Sequence, residues 1–338
     1  MSGSHFARLS ALRDRLARAD VDGLLISSLP NIRYLTGFSG SNALVVVTAR
    51  ECVLFTDFRY ATQVLDEVSV HVNVHIESQS LWIGLWNWLG TVTGVERMGF
   101  ESMHLMHRDF QRLLEQGAKW QWRPQVDEVE SLRVSKDAEE LAQIEVAVGI
   151  AERALTATLA ELRVGLTETQ VAGVLEHHLR NEGSDAYPFA TIVASGPRSA
   201  LPHAHAGNRT IMSGDLVLID FGAVYAGYCS DITRTVVVGH ASERQKQVYD
   251  VVCQANVKSS GALRAGMRGK DADAVAREYI HALGFGEAFG HSLGHGIGLE
   301  IHEAPRLAKT ADSVLPVGAV VTIEPGVYLA EWGGVRIE

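Results

Sequence analysis

The stretch LRVGLTETQVAGVLEHHLRNEG at residues 162–183 recurs in altered form as LRAGMRGKDADAVAREYIHALG at residues 263–284, an offset of 101 residues. Each copy has the pattern of a turn, an amphipathic helix and a closing glycine. Because the same unit occurs twice, we expect a domain that is built from two similar α/β halves.

A second pair of segments repeats at nearly the same distance. SGDLVLIDFG at residues 213–222 is similar to VGAVVTIEPG at residues 317–326, and in this pair Asp220 aligns with Glu324. If the two halves face each other about a pseudo-twofold axis, these acids lie on equivalent strands close to the axis. The alternative is chance similarity between two generic strands, although the glycines, the apolar alternation and the acid all agree.

The segment LVLIDFGAVYAGYCSDITRTVVVG predicts two strands that are joined by a turn at Tyr225–Gly227. Asp220 ends the first strand and Asp231 begins the second, so the two side chains can face each other in a hairpin. Two close carboxylates repel each other unless a cation lies between them. The alternative is that one acid caps a turn while the other is solvated.

The segment FGHSLGHGIGLEIHEAP at residues 289–305 places His291, His295 and His302 among closely spaced glycines. Glycines let a backbone approach a ligand or bend sharply. A lone histidine is usually structural, but three of them beside repeated glycines indicate a ligand site. His203, in ALPHAH, is a fourth candidate imidazole.

Two further acids follow the glycine-rich segment. IEPGVYL supplies an acid at the end of an apolar strand, where an unpaired charge would be costly, and GGVRIE supplies another in the next extended segment. The predicted ligand set then contains four carboxylates and one imidazole: Asp220, Asp231, His295, Glu324 and Glu338. This set suits a pair of divalent first-row metals, which can turn water into a nucleophile at neutral pH.

Composition restricts the class of protein. A chain of 338 residues predicts two domains, and a net charge of −10 argues against a nucleic-acid partner. Cys52, Cys229 and Cys253 are odd in number and widely spaced, which favours reduced thiols over a disulfide framework. Since no apolar run reaches membrane-spanning length and the start has an amphipathic pattern, we expect a cytoplasmic enzyme without a membrane partner.

The chain is predicted to consist of an α/β domain at residues 1–130 and a second domain at residues 131–338. In the first, the Gly-Ser-Asn cluster at 40–42 predicts a turn between strands, ECVLFTDFRY predicts a strand, and residues 103–118 predict a helix. The second domain opens with an amphipathic helix whose predicted N-cap is Ser135.

The ligand set, HSLGHGIGLEIHE, TIEPGVY and GGVRIE together resemble the metal-dependent creatinase, aminopeptidase P and prolidase family. The similarity covers roughly residues 135–338, and the part that contains NIRYLTGFSGS resembles the creatinase-type domain found in front of it. The resemblance implies an α/β N-terminal creatinase-like domain and an α+β pita-bread catalytic domain with an internal pseudo-twofold repeat. The family pattern continues past Glu338 with an Asp and about one further strand, so we expect either a truncated sequence or a site without that strand.

The resemblance also implies a role for each site residue. Asp220 and Asp231 bind one metal, Asp231 and Glu338 bridge to the second, and His295 and Glu324 complete it. Glu324 is the implied proton shuttle, while three histidines orient substrate or stabilise the tetrahedral intermediate: His203, His291 and His302. Arg336 either steadies Glu338 or binds substrate. Carboxylate-rich ligation favours Mn²⁺, with Co²⁺, Zn²⁺ and Fe²⁺ as alternatives.

The implied reaction is cleavage of the peptide bond before proline. Arg306 matches a position that prolidases use to bind the free carboxylate of a dipeptide, although an unliganded surface arginine is the alternative. We therefore favour an Xaa-Pro dipeptidase over an aminopeptidase P that acts on longer peptides. The N-terminal domain disfavours methionine aminopeptidase, and the full ligand set disfavours both metal-free hydrolysis and a non-catalytic binding protein. The resemblance implies a homodimer.

Overall fold

The computed structural model describes residues 2–338. The chain forms two compact units, one that ends at Arg133 and one that begins at Val134. None of the helices in residues 2–338 is long and apolar enough to cross a lipid bilayer.

The first unit contains a six-stranded mixed sheet with the order β4-β3-β2-β1-β5-β6. Only β2 runs antiparallel to its two neighbours, and the other adjacent strands are parallel. The strands are β1 (Gly23–Ile26), β2 (Ala43–Thr48), β3 (Cys52–Asp57), β4 (Asn73–Glu77), β5 (Arg97–Glu101) and β6 (Gln121–Gln125).

The helices of this unit confirm the expected α/β class. They are α1 (Ser2–Arg18), α2 (Leu29–Thr36), α3 (Gln63–Glu67), α4 (Leu81–Thr91), α5 (His107–Gln116) and α6 (Glu130–Arg133). One local prediction was wrong, because the residues before the Gly-Ser-Asn turn form α2 and not a strand. Pro30 lies in the first turn of α2, and Gly37 ends the helix in the left-handed conformation with φ 86°.

The helices of the second unit confirm the internal repeat. They are α7 (Ala138–Glu161), α8 (Glu168–Asn181), α9 (Glu243–Ala262) and α10 (Gly269–Ala282). Helices α7 and α9 end 101 residues apart, at Glu161 and Ala262. Helices α8 and α10 also end 101 residues apart, at Asn181 and Ala282. The predicted N-cap of α7 was wrong by two residues, because Asp137 accepts from the backbone N–H of Glu140 and forms a capping box with it.

The strands of the second unit form a three-stranded antiparallel sheet, in the order β11-β8-β7, and three two-stranded ribbons. Strands β9 and β10 pair at the tip of the predicted hairpin, β12 pairs with β13, and β14 pairs with β15. The strands are β7 (Ile192–Ser195), β8 (Leu216–Phe221), β9 (Val224–Tyr225), β10 (Tyr228–Cys229), β11 (Ile232–Val237), β12 (Gly294–Gly296), β13 (Glu303–Leu307), β14 (Gly326–Leu329) and β15 (Gly333–Arg336).

Each half of the second unit has its own hydrophobic core. One core joins α7 and α8 to the three-stranded sheet through side chains such as Leu175, Ile219 and Phe221. The other joins α9 and α10 to β13, β14 and β15 with Val252, Phe289 and further apolar residues. Burial of these faces orients the polar ends of the strands, where the candidate ligands lie.

Candidate metal centre

The hairpin of β8 and β11 brings the first two acids together. Asp220 is the penultimate residue of β8 and pairs with Thr233, while Asp231 lies immediately before β11. Asp231 therefore precedes the second strand instead of beginning it. The two acids are diagonal neighbours in the ladder, and both side chains lie on the same side of the sheet.

Glu338 follows β15 and joins these acids. Its backbone N–H donates to Thr233 O at 3.1 Å, and its Oε2 accepts from the Thr233 hydroxyl at 3.0 Å. One carboxylate oxygen from each of three residues lies within 4.8 Å of the others: Asp220, Asp231 and Glu338. Glu338 Oε1 is buried and has no hydrogen-bond partner among residues 2–338. A buried carboxylate oxygen without a partner, beside two other carboxylates, has the chemistry of a cation ligand.

The glycine-rich segment lies against the strand that carries Glu324. Gly294, in β12, approaches this strand so closely that a Cβ atom there would lie 2.0 Å from Thr322 O, which explains the need for glycine. The prediction that Glu324 ends a regular strand was only partly right. The Thr322 N–H donates to His295 O, and the Glu324 N–H donates to Leu293 O. Val321 forms only an isolated bridge with Gly296, so this segment pairs with the glycine-rich segment without forming a continuous ladder.

His295 presents one ring nitrogen to the acids. Its Nδ1 lies 3.0 Å from Gly296 O, and because a carbonyl only accepts, this nitrogen carries the proton of the neutral ring. Its Nε2 is then unprotonated and lies 3.6 Å from Asp231 Oδ2 and 3.4 Å from Glu324 Oε1. Burial lowers the pKa of His295 to about 4, so the ring is neutral and able to bind a metal at pH 7.

Burial raises the pKa of each carboxyl group in this cluster. The pKa of Glu324 rises to about 7, mainly through burial. The pKa values of Asp231 and Glu338 lie well above their usual range because burial and the neighbouring carboxylates both disfavour the charge. Burial also raises the pKa of Asp220, although Arg336 partly offsets it. A divalent cation would reverse this balance, so the residues present fit such an ion.

We expect these raised pKa values to make metal binding stronger at higher pH. Cation binding displaces protons that the cluster still holds as pH rises through about 7, the pKa of Glu324, whereas His295 is already neutral above pH 5. Saturating Mn²⁺ should raise the unfolding temperature of the stripped protein by about 5–10 °C at pH 8 and by much less at pH 5.5. Calorimetry at the two pH values measures the difference, and equal shifts would contradict the pKa assignments.

Arg336 is 3% exposed, and its donors are used within the site. Its Nη2 donates to Asp220, its Nε donates to the Thr233 hydroxyl at 3.0 Å, and its Nη1 donates to the Tyr328 hydroxyl at 2.8 Å. This position favours a role in holding Asp220 over direct binding of substrate. Tyr328 and Thr233 were missed in the sequence, although both lie in the segments that carry the ligands.

The remaining candidate site residues differ in burial: His291 is half-buried, and the others are exposed. His291 accepts through Nε2 from the Tyr328 hydroxyl at 2.9 Å, because its Nδ1 donates to Ser292 O. His302 is exposed and its ring lies 4.3 Å from that of His295. His203 is also exposed, and its charge interacts with Asp220, His291 and His302. Arg306 is exposed and is the cross-strand partner of His295.

Residues 142–338 match the metallopeptidase family M24, and residues 8–135 match the creatinase/prolidase N-terminal domain. The chain belongs to metallopeptidase family M24. A curated relative, the uncharacterized peptidase YqhT of Bacillus subtilis (strain 168), is 42% identical over 331 residues. That match covers 98% of this chain and 93% of the relative.

Two solved structures are similar to this M24 chain along nearly its whole length. A Xaa-Pro dipeptidase from Bacillus anthracis has a TM-score of 0.95 at 38% identity, covering 98% of this chain and 93% of that one. An X-Pro aminopeptidase from Thermotoga maritima MSB8 has a TM-score of 0.89 at 37% identity, covering 97% and 92%. These similarities confirm the predicted family and the creatinase-like and pita-bread fold. Membership of a metallopeptidase family also implies divalent metal ions.

Proposed function

We propose that this chain is a two-metal Xaa-Pro dipeptidase. The observation that carries the proposal is the convergence of four acids and one neutral imidazole on a single buried site. The five ligands would be Asp220, Asp231, His295, Glu324 and Glu338. Asp231 lies near both Asp220 and His295, so it is the natural residue to be shared between two ions. We favour Mn²⁺ because most donors are carboxylates, with Co²⁺, Zn²⁺ and Fe²⁺ as alternatives.

The metals would supply an activated water and polarise the scissile carbonyl group. The protein moves the protons. We assign Glu324 as the shuttle that takes a proton and passes it to the leaving proline nitrogen, because its carboxylate lies in the buried cluster, 3.4 Å from His295 Nε2. Its Oε1 accepts from the Thr322 hydroxyl at 3.3 Å, which orients the carboxylate.

We assign two of the three outer histidines, His203 and His302, to substrate orientation. His302 and His203 are exposed on the side of the acids, where they can donate to a peptide carbonyl or to the developing oxyanion. His291 is different, because Tyr328 already donates to its Nε2. We therefore propose that His291 acts by fixing the Tyr328 hydroxyl, and that Arg336 fixes the same hydroxyl from the other side.

Arg306 supports the dipeptidase assignment. It pairs with His295 across the β12–β13 ribbon, and its charge is close enough to lower the pKa of both His295 and His302. Its guanidinium has no hydrogen bond or ion pair within residues 2–338, so its donors are available. A free guanidinium beside the imidazoles can bind the carboxylate of a substrate that ends one residue past the cut.

An aminopeptidase P activity on longer peptides is the second candidate. It is favoured by the similar X-Pro aminopeptidase structure, which matches this chain at nearly the same identity as the dipeptidase. The two activities share the metal site and differ in whether a free carboxylate must follow the proline. Rates on Xaa-Pro and Xaa-Pro-Yaa peptides with the same first residue therefore separate them.

We expect kcat/KM of the Mn²⁺-loaded protein to be at least about tenfold higher on Xaa-Pro than on Xaa-Pro-Yaa. One charge-assisted hydrogen bond to a carboxylate contributes about 1.5–3 kcal/mol, which corresponds to roughly 10–100-fold. Arg306→Met should remove this advantage by raising KM for the dipeptide, while the tripeptide rate changes little. Assays of proline or Pro-Yaa release measure both substrates.

Lys309→Met is the matched control, because it removes an exposed positive charge two residues after β13. It should leave the substrate preference unchanged. Faster cleavage of the tripeptide by the unaltered protein would replace the dipeptidase assignment with aminopeptidase P. An unchanged dipeptide KM in Arg306→Met would show that another group binds the carboxylate.

We also propose a cytoplasmic homodimer. The three cysteines are free thiols, two of them buried, which suits a reducing compartment. Light scattering on the purified chain distinguishes a mass near 37 kDa from one near twice that value, given a chain mass of 36.7 kDa. The family's tendency to dimerise is the reason for expecting the larger mass.

A further inference from the structure

The loop at residues 289–293 carries His291 and leads directly into β12, which carries His295. Its sequence is FGHSL, and a glycine follows at 294. Packing fixes the two ends of this loop, because Phe289 is 2% exposed and Leu293 is fully buried. Between them, Gly290 adds backbone freedom that packing at the ends does not remove. The Leu293 N–H also donates to Leu307 O of β13 at 2.8 Å, so the part of the loop around His291 is the part that needs further contacts.

Helix α10 supplies these contacts through two side chains one turn apart. Asp273 is 1% exposed and receives two hydrogen bonds from Arg277, at 2.7 Å from Nε and 2.9 Å from Nη2. Arg277 also donates from Nη1 to Phe289 O at 2.8 Å and from Nη2 to His291 O at 2.7 Å. Its guanidinium lies 4.2 Å above the Phe289 ring. The arginine thus binds both the backbone and the ring at the start of the loop.

Asp273 binds the other end of the loop. Its Oδ1 accepts from the Leu293 N–H at 3.0 Å. The carbonyl of Leu293 in turn accepts from the Glu324 N–H at 2.8 Å. Leu293 therefore links Asp273 of α10 to the segment that carries the proposed ligand Glu324. Two residues later, His295 O accepts from the Thr322 N–H at 2.8 Å. The ion pair is therefore connected through the backbone to His295 and Glu324.

We propose that Asp273 and Arg277 are positioning residues that hold His291 and His295 in register with Glu324. This inference rests on the proposed function only for the identity of the metal ligands. An i, i+4 ion pair on a helix surface would stabilise the helix and nothing more. In this pair Asp273 is buried and Arg277 is mostly buried, and three of their hydrogen bonds go to the loop. We therefore infer that the pair serves mainly to place the two histidines.

Arg277→Lys tests the proposal most sharply. A lysine keeps the charge beside Asp273, but a single ammonium group cannot reach the same fork of acceptors. We expect amide hydrogen exchange at residues 291–295 to become at least about tenfold faster, because the loop loses both bonds from the guanidinium to Phe289 O and His291 O. We also expect the affinity of the stripped protein for Mn²⁺ to fall about 10–100-fold, as is typical when a partner that orients ligands is lost.

Arg268→Lys is the matched control, since Arg268 forms an exposed ion pair with Asp271 at the start of the same helix, with Nε 2.7 Å from Oδ2. It should change neither exchange nor Mn²⁺ affinity. If Arg277→Lys lowers only the unfolding temperature and leaves both readouts at their original values, the pair is merely structural and the proposal is wrong.

Asp273→Asn covers the case in which Arg277→Lys does not fold. Asparagine keeps one acceptor for the Leu293 N–H and loses the second for Arg277, so the same two readouts should move in the same direction by a smaller factor. No change in either readout in a folded Asp273→Asn protein would overturn the proposal. Failure of the unaltered protein to bind Mn²⁺ would instead contradict the proposed function, while the exchange measurement would still decide the role of the pair.

Discussion

Asp231→Asn is expected to lower kcat/KM for an Xaa-Pro dipeptide by about 10³-fold or more, together with loss of bound Mn²⁺. Asp231 lies within 4.8 Å of Asp220 and Glu338 through its carboxylate oxygens, and Oδ2 lies 3.6 Å from His295 Nε2. A neutral amide at this shared position leaves both proposed ions one charge short. Loss of several kcal/mol of transition-state stabilisation from the metals corresponds to a rate decrease of this size.

The matched control for this variant is Asp215→Asn. Asp215 immediately precedes the same strand as Asp220, is mostly buried, and pairs with Arg209 at 2.6 Å, away from the acids. The control should cost stability because it weakens that pair, but the Mn²⁺ content per folded chain should stay the same. Metal analysis by mass spectrometry and dipeptide assays on both proteins compare them. Full metal content and activity in Asp231→Asn would show that the site is elsewhere.

Glu324→Gln is expected to lower kcat by about 10²–10⁴-fold at saturating Mn²⁺, the usual contribution of general acid–base catalysis. The glutamine keeps a carbonyl oxygen where Glu324 Oε1 lies, 3.4 Å from His295 Nε2, but it cannot carry the proton. Because the other acids are unchanged, the folded variant should still bind metal, although more weakly. Steady-state kinetics with excess Mn²⁺ separates this loss of rate from incomplete loading.

Glu331→Gln makes the same chemical change at an exposed position in the turn between β14 and β15. It should leave kcat within about twofold, as expected for a surface substitution with a small effect on stability. The proton-shuttle assignment would be wrong if Glu324→Gln retained the original kcat once Mn²⁺ is saturating. Another group would then have to take the proton to the leaving nitrogen.

The architecture of the second unit could be predicted from the sequence because the sequence contains an internal repeat. The repeat at 162–183 and 263–284 gave the helix pair α8 and α10 with the observed spacing, since both copies keep the same local signals for turn and helix. Asp220 and Asp231 were brought together by a hairpin, which is also a local feature. Local patterns of this kind survive in the fold because tertiary packing reinforces them.

Features that depend on contacts between distant residues could not be predicted. Lys136 and Glu303 form a buried ion pair at 3.0 Å although they are 167 positions apart, and nothing near either residue indicates the other. Asp273 and Arg277 have the spacing of an ordinary surface pair, and only burial against the loop gives them a different role. For Arg336 the sequence left open whether it steadies Glu338 or binds substrate, because its partners Asp220, Thr233 and Tyr328 come from separate segments.

In the proposed function, a divalent-metal site built from these five residues cleaves the bond before proline. Stepwise addition of Mn²⁺ to the metal-stripped protein, with proline release from an Xaa-Pro dipeptide followed at each step, tests this function. We expect no release without metal and a rate that saturates near two equivalents per chain. Full activity in the stripped protein, or no proline release at any Mn²⁺ concentration, would contradict the claim.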